Sequence, residues 1–220
     1  MKILIIGFQR SGTTLLRRIF QVHPDVQKMF HEKFLLKICS DKKTLENFLI
    51  NFDIDPIRDN WGEKVPFYPG ARKIPAIKYC EMWKEYFGKQ AKIIHIVRHP
   101  IDVANSITEK YGTNFNRGLT IYKNIMPAVV PNLLKDPSVL SIKYESLLLN
   151  PEAYVQKMYK FCGLRKSNFK KRLEKLANNR YKKIDPTRAF AFREKKIPKK
   201  LNLQNIFDVL NEISGPEYKL

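Results

Sequence analysis

The sequence is short of acid. Its 220 residues hold 21 Asp and Glu against 41 Lys and Arg, a formal net charge of +20. Such a balance points to polyanionic partners: a nucleotide, an acidic glycan, nucleic acid or an anionic membrane. The cations are spread along the chain and become denser from Lys157 onward. Cysteine is scarce too. Cys39, Cys80 and Cys162 are odd in number and far apart. That excludes a disulfide framework and a thiolate metal cluster, and it suggests reduced core thiols in a cytoplasmic compartment. No run approaches the ~18 apolar residues of a membrane-spanning helix. The apolar stretch at the N-terminus lacks a small-residue cleavage site and leads straight into a glycine loop, so it reads as a strand rather than a signal peptide. Internal repeats, low-complexity segments and spacings suited to metal ligands are also missing. No nucleic-acid-binding motif or aromatic stacking strand accompanies the charge, so nucleic acid is not an expected partner.

What is present begins at residue 3. Ile3-Leu4-Ile5-Ile6 stops at Gly7, and Phe8-Gln9-Arg10-Ser11-Gly12-Thr13-Thr14 follows before Leu15, Leu16, Ile19 and Phe20 resume at helical spacing. This pattern predicts a buried strand, a tight loop and a helix N-terminus. Free backbone N–H groups and the helix dipole make such a turn an anion site, and the two glycines let the backbone curl round a phosphate. The Gly7-to-Gly12 spacing is that of a Walker A loop, but Thr13 stands where that loop has its lysine. The cation is inside the loop, at Arg10. ATP hydrolysis or kinase chemistry is therefore disfavoured, and no acidic metal ligand is evident at a strand end.

Further along, His23-Pro24 ends the first helix. Met29 to Phe34 reads as a strand end or loop beside the glycine loop. Helical spacing from Leu35 to Phe52 breaks near Ser40-Asp41, and Asp53 to Pro75 is rich in proline and reads as loop. Helices are expected over Ile77–Phe87, from Asp102, over Arg117–Leu134, from Pro151 to Phe161, over Asn168–Asn178 and over Leu203–Ile213. Lys92 to Val97 and Ser138 to Tyr144 are the second and third buried strands. Alternating strands and helices predict an α/β fold, a three-layer arrangement with a parallel sheet flanked by helices and a helical, basic C-terminal segment. Ligands in such folds bind at the carboxyl ends of the strands, so the loops after Ile6, Val97 and Lys143 should face one site. In the second of these, Arg98-His99-Pro100 closes a strand and Ser106 lies two helical turns on, an Arg fork and a hydroxyl suited to an anion.

Taken in order, these segments resemble the PAPS-dependent sulfotransferase family. Arg10-Ser11-Gly12-Thr13-Thr14 is similar to its 5′-phosphosulfate loop, and Arg98-His99-Pro100 with Ser106 is similar to its 3′-phosphate motif. Ile142-Lys143-Tyr144-Glu145-Ser146-Leu147, Asn150-Pro151-Glu152 and Phe161-Cys162-Gly163-Leu164 resemble later family segments. The resemblance covers residues 1–165 of a single domain, with 166–220 a helical and basic extension. His23-Pro24-Asp25-Val26 and Lys64-Val65-Pro66-Phe67 lean toward the tyrosylprotein and glycan branch.

The resemblance implies PAPS as sulfate donor, PAP as product, no metal, and a hydroxyl-bearing acceptor, an acidic glycan or a peptidyl tyrosine. It implies that the backbone of residues 9–14, through Gln9, Arg10, Ser11, Gly12, Thr13 and Thr14, holds the 5′-phosphosulfate. Arg98 and Ser106 would hold the 3′-phosphate, Tyr144 would approach the adenine, and Lys64 and Arg10 would be the cations near the transferring group. The base for the acceptor hydroxyl is Glu32 or His31, with Glu32 favoured. The segment Arg188-Ala189-Phe190-Ala191-Phe192-Arg193 would cover the nucleotide, with Arg193 a binding residue; a solvated basic tail is the other reading. Lacking the membrane anchor of Golgi members, the chain is expected to be cytoplasmic.

Overall fold

A computed structural model describes residues 1–39, 41–67, 76–174, 184–191 and 202–219. Among the described residues, five parallel strands form one sheet. They are β1 (Lys2–Phe8), β2 (Val26–His31), β3 (Asn60–Phe67), β4 (Ala91–Val97) and β5 (Val139–Lys143), in the spatial order β2-β3-β1-β4-β5. Helices cover both faces, so β1 is buried along its whole length and is apolar from Ile3 onward.

Alternate residues of β1 serve opposite cores. Ile3 and Ile5 pack with α1 (Thr13–Gln21), α7 (Tyr144–Leu149), α8 (Pro151–Phe161) and α9 (Phe169–Glu174). Leu4, Ile6 and Phe8 pack with α2 (Leu35–Ile38), α3 (Lys42–Ile50), α4 (Ala76–Phe87), α5 (Pro100–Tyr111), α6 (Phe115–Leu134) and α10 (Gln204–Asn211). The period-2 alternation of a strand produces this division. Cys39, Cys80 and Cys162 are buried free thiols, and burial pushes Cys80 and Cys162 up to about 12.

The sheet has two strands more than the sequence reading. Residues 60–67 were expected as loop, yet β3 lies between β2 and β1. Gly62, Glu63, Lys64 and Pro66 disguise it. Gly62 is required because a Cβ there would lie 2.1 Å from the Ile3 carbonyl oxygen. Glu63 and Lys64 are both buried, each beside polar partners that alternation along the strand supplies on opposite faces. The Val26–His31 segment is likewise a full strand, at the sheet edge. Where a loop was expected after Lys143, α7 begins at once. Helix α6 runs unbroken through Pro127 and Pro131, because buried Tyr122, Met126, Val130 and Leu133 hold it in the core.

Nor does the end of the chain trail away. Leu203, Ile206, Phe207, Leu210, Ile213 and Tyr218 are buried in the same core as β1 and α6. No helix among the described residues is long and apolar enough to cross a membrane.

Candidate active site

The loop between β1 and α1 is tightly curled. Gln9 N–H donates to the Phe67 carbonyl at 3.2 Å and Ser11 N–H to the Phe8 carbonyl at 3.1 Å. Arg10, at φ 71, and Gly12, at φ 104, take left-handed backbone. For an arginine that conformation costs on the order of 1 kcal/mol, a strain found where function holds a residue in place. The first amides of α1 (Thr13, Thr14 and Leu15) have no partner within the helix and point out of its N-terminus. Ser11 is fully buried, and its Oγ meets no hydrogen-bond partner among the described residues.

Arg98 ends β4 beside this loop. Its guanidinium lies 4.7 Å from the centre of the Tyr144 ring, and Nη1 donates to the Arg10 carbonyl at 3.3 Å. Asp102 Oδ1 stands 3.9 Å from Nη2, while Arg98 Nε is buried without a hydrogen-bond partner among the described residues. The Tyr144 ring also meets the loop, so closely that a Cβ on Gly12 would lie 2.5 Å from its Cδ2. Arg10 reaches across to α5, where its Nε donates to Ser106 Oγ at 2.9 Å. Together Arg10, Gly12, Thr13, Thr14, Arg98, Ser106 and Tyr144 line a cleft of 310 Å³, which Arg188 and Ala191 close from the late segment.

On the other side of β1 is a second polar group. Lys64 pairs in register with Ile5 of β1 and with His31 of β2, and it points to the α1 face. Its Nζ donates to Glu32 Oε1. Glu32 follows β2 directly, its N–H bonded to the Lys64 carbonyl at 2.9 Å, with φ 54. The Lys64 side chain is 3% exposed and that of Glu32 22%, so the carboxylate is the member of the pair that meets solvent. Burial lowers the Lys64 pKa, with the Glu32 carboxylate opposing the shift. His31 stands 3.8 Å from Glu32 Oε1, with half its side chain exposed. Burial first, then the Lys64 charge, lower its pKa, so the imidazole is neutral at neutral pH.

A family model for the sulfotransferase domain matches residues 1–205. The chain belongs to the sulfotransferase domain family. The fold matches the sulfotransferase domain of the Synechococcus olefin synthase with a TM-score of 0.69 at 19% identity, over 100% of this chain and 96% of that one. The sulfotransferase domain of the curacin biosynthetic pathway gives 0.64 at 15% identity, over 97% and 98%. A mouse sulfotransferase complexed with PAP gives 0.50 at 18% identity, over 97% and 78%. No curated protein matches the sequence significantly.

In this sulfotransferase domain the residues singled out from sequence gather in two groups. Arg10, Gly12, Thr13, Thr14, Arg98, Ser106 and Tyr144 share the cleft. Glu32, His31 and Lys64 share the β2–β3 edge. Gln9 and Ser11 do not line the cleft; their amides are spent in shaping the loop. The Arg10 side chain faces Ser106 rather than Lys64, which places it among the Arg98 group. Arg193 lies outside the described residues; among those described, Arg188 is a late cation that lines the cleft. Sequence reasoning passed over Glu63. Its fully buried carboxylate accepts from Phe34 N–H, from Leu35 N–H at 3.0 Å and from Tyr79 O–H at 2.8 Å, and so fixes the loop that follows Glu32. The signal available was a charged residue inside Trp61-Gly62-Glu63-Lys64-Val65, an otherwise strand-like run.

Proposed function

We propose that the chain is a PAPS-dependent sulfotransferase that transfers a sulfuryl group in line to the hydroxyl of a glycan or a peptidyl tyrosine, leaving PAP (3′,5′-ADP). The observation that carries this reading is the order of groups along the strand ends. From one sheet edge to the other they are Glu32 after β2, Lys64 on β3, the Arg10–Thr14 loop after β1, Arg98 after β4 and Tyr144 after β5. An acceptor hydroxyl at the β2 edge and a nucleotide over β4 and β5 would meet above β3 and β1. Neighbouring strands are ~4.8 Å apart, so this array spans the width of a nucleotide. PAP in the mouse sulfotransferase supports the same choice of donor.

The residues suit such a donor. The buried Arg98 Nε, at the cleft, has no hydrogen-bond partner among the described residues. The amides of Thr13 and Thr14 would hold the 5′ end, with the α1 dipole behind them. Arg98 and Ser106 would hold the 3′-phosphate, the group that separates PAPS from ATP. Arg10, bonded to Ser106, joins the two subsites. The donor supplies an activated sulfuryl group. Glu32 takes the proton of the attacking hydroxyl. Lys64 has three N–H donors and spends one on Glu32, leaving two for the charge that develops on the leaving oxygen.

His31 takes second place as base, because Glu32 and not His31 holds the lysine. The surplus of positive charge suits an acidic acceptor.

Isothermal titration with 3′,5′-ADP, AMP and ATP tests the assignment. Preference for 3′,5′-ADP is expected, and AMP binding as tight as 3′,5′-ADP removes the role given to Arg98 and Ser106. Incubation with labelled PAPS and either a tyrosine peptide or a glycan then reads the acceptor class directly.

A further inference from the structure

The family match stops at residue 205. The chain beyond it returns to the back of the nucleotide cleft. We infer that Tyr218 is a positioning residue for the 3′-phosphate subsite, acting through Glu145 on the peptide that carries Arg98. This rests on the sulfotransferase reading above and adds a determinant of donor selectivity to it.

The Arg98–His99 peptide is held at both of its polar atoms. Its carbonyl accepts from Tyr122 O–H at 2.8 Å, and its N–H donates to Glu145 Oε1 at 3.0 Å. A peptide group is planar, so fixing the oxygen and the hydrogen fixes the plane and the direction in which Arg98 leaves it. Tyr122 comes from α6. The other hold depends on Glu145, whose second oxygen accepts from Tyr218 O–H. Glu145 and His99 are fully buried and Tyr218 is 1% exposed, so water does not substitute for a lost partner.

Tyr218 is itself strapped down. Its N–H donates to Asn211 Oδ1 at 2.8 Å, and its carbonyl accepts from Asn211 Nδ2 at 3.1 Å. The buried Lys143 ammonium donates to the Pro216 carbonyl at 2.7 Å and sits 4.5 Å from the centre of the Tyr218 ring. Gly215, at φ 135, passes so near α7 that a Cβ would come 2.1 Å from Ser146 Oγ. The His99 ring meets Tyr218 edge-on at 5.4 Å. Glu145 also adjoins Tyr144, whose ring lies under the Arg98 guanidinium. One carboxylate thus ties the chain terminus to the residue that reads the 3′-phosphate and to the aromatic beneath it.

Without the Tyr218 hydroxyl, the Glu145 carboxylate loses the hold on its second oxygen, and the His99 N–H has a less firmly fixed acceptor. The Arg98–His99 peptide then keeps a firm hold only at Tyr122, and the guanidinium rests on its contacts with the Arg10 carbonyl and the Tyr144 ring. AMP has no 3′-phosphate and draws on the glycine loop, so it does not depend on the direction Arg98 takes.

Tyr218→Phe keeps the ring and removes the hydroxyl. Titration should show 3′,5′-ADP binding weakened by about tenfold, the size of one hydrogen bond to a charged group, with AMP binding unchanged. Equal proportional losses for both ligands, or no loss for either, overturn the inference and leave the sulfotransferase reading standing. A wild-type protein with no preference for 3′,5′-ADP overturns both. Lys143→Met loosens the strap at Pro216 and leaves the tyrosine hydroxyl in place, so it supplies the same comparison if the phenylalanine variant does not fold. A selective loss of 3′,5′-ADP affinity there supports the inference, and an unselective loss or none overturns it.

Discussion

Replacing Glu63 by alanine should cost the protein more than any surface change, and the structure gives the size. The carboxylate is fully buried and accepts from the N–H groups of Lys33, Phe34 and Leu35 and from the hydroxyl of Tyr79. Each buried donor left without an acceptor costs ~1–3 kcal/mol. Removing the carboxylate also relieves its own desolvation, which outweighs these hydrogen bonds enough to raise its pKa. With the cost of the orphaned donors offset in part by that relief, the net loss is about 3–5 kcal/mol. For a chain of this length that lowers the melting temperature by about 6–20 °C. Thermal unfolding followed by circular dichroism reads it. A raised carboxyl pKa also has a sign. The folded protein holds that proton more readily than the unfolded chain, so this group's contribution to stability declines as pH climbs from the unfolded carboxylate value to the raised folded one. The decline should be absent in Glu63→Ala. A variant that melts within about 2 °C of the wild type, a loss under ~1 kcal/mol, would refute the account of Glu63 as the clamp on the loop after Glu32.

Three further outcomes are expected. Glu32→Gln should abolish sulfuryl transfer while 3′,5′-ADP binds as before; retained activity in that variant together with a dead His31→Ala would move the base by one residue. Because burial holds the Lys64 pKa below the ordinary 10.5, the ammonium is lost early as pH rises. The alkaline limb of kcat/KM should therefore lie below that value and move upward in Lys64→Arg, and an unmoved limb would take Lys64 out of the reaction. Gly12→Ala would force a Cβ to within 2.5 Å of the Tyr144 ring at a φ of 104 that L side chains rarely adopt. It should cost ~1–3 kcal/mol of stability and most of the 3′,5′-ADP affinity, as melting and titration would show.

Much of the Arg10–Arg98 cleft was legible because its signals are local. A strand, a glycine loop and a helix start are contiguous in Ile3–Phe20, and Arg98 and Ser106 lie eight residues apart on one strand end and helix. The β2–β3 edge was harder to read. Hydrophobic periodicity identifies a strand by the water it avoids, and β3 buries a carboxylate and an ammonium that find partners only across the fold. Glu63 meets the loop after β2, and Lys64 meets Glu32, 32 residues away in sequence. Proline at position 66 added to the appearance of loop, although its missing N–H does not prevent β3 from lying between two strands.

The amino-acid sequence by itself determined the parallel α/β architecture and singled out the Arg10–Thr14 loop, Arg98 and Ser106, which the fold brings to one cleft. Each of these signals is carried by residues within a turn or two of one another. Only the tertiary structure decided that Arg10 turns toward Ser106, that Glu32 shares a proton-rich partner in Lys64, and that Tyr218 from the far end of the chain stands behind Arg98. Those contacts join segments 32 to 96 residues apart, and what selects them is the burial of polar groups, each of which must find a partner wherever the folded chain provides one.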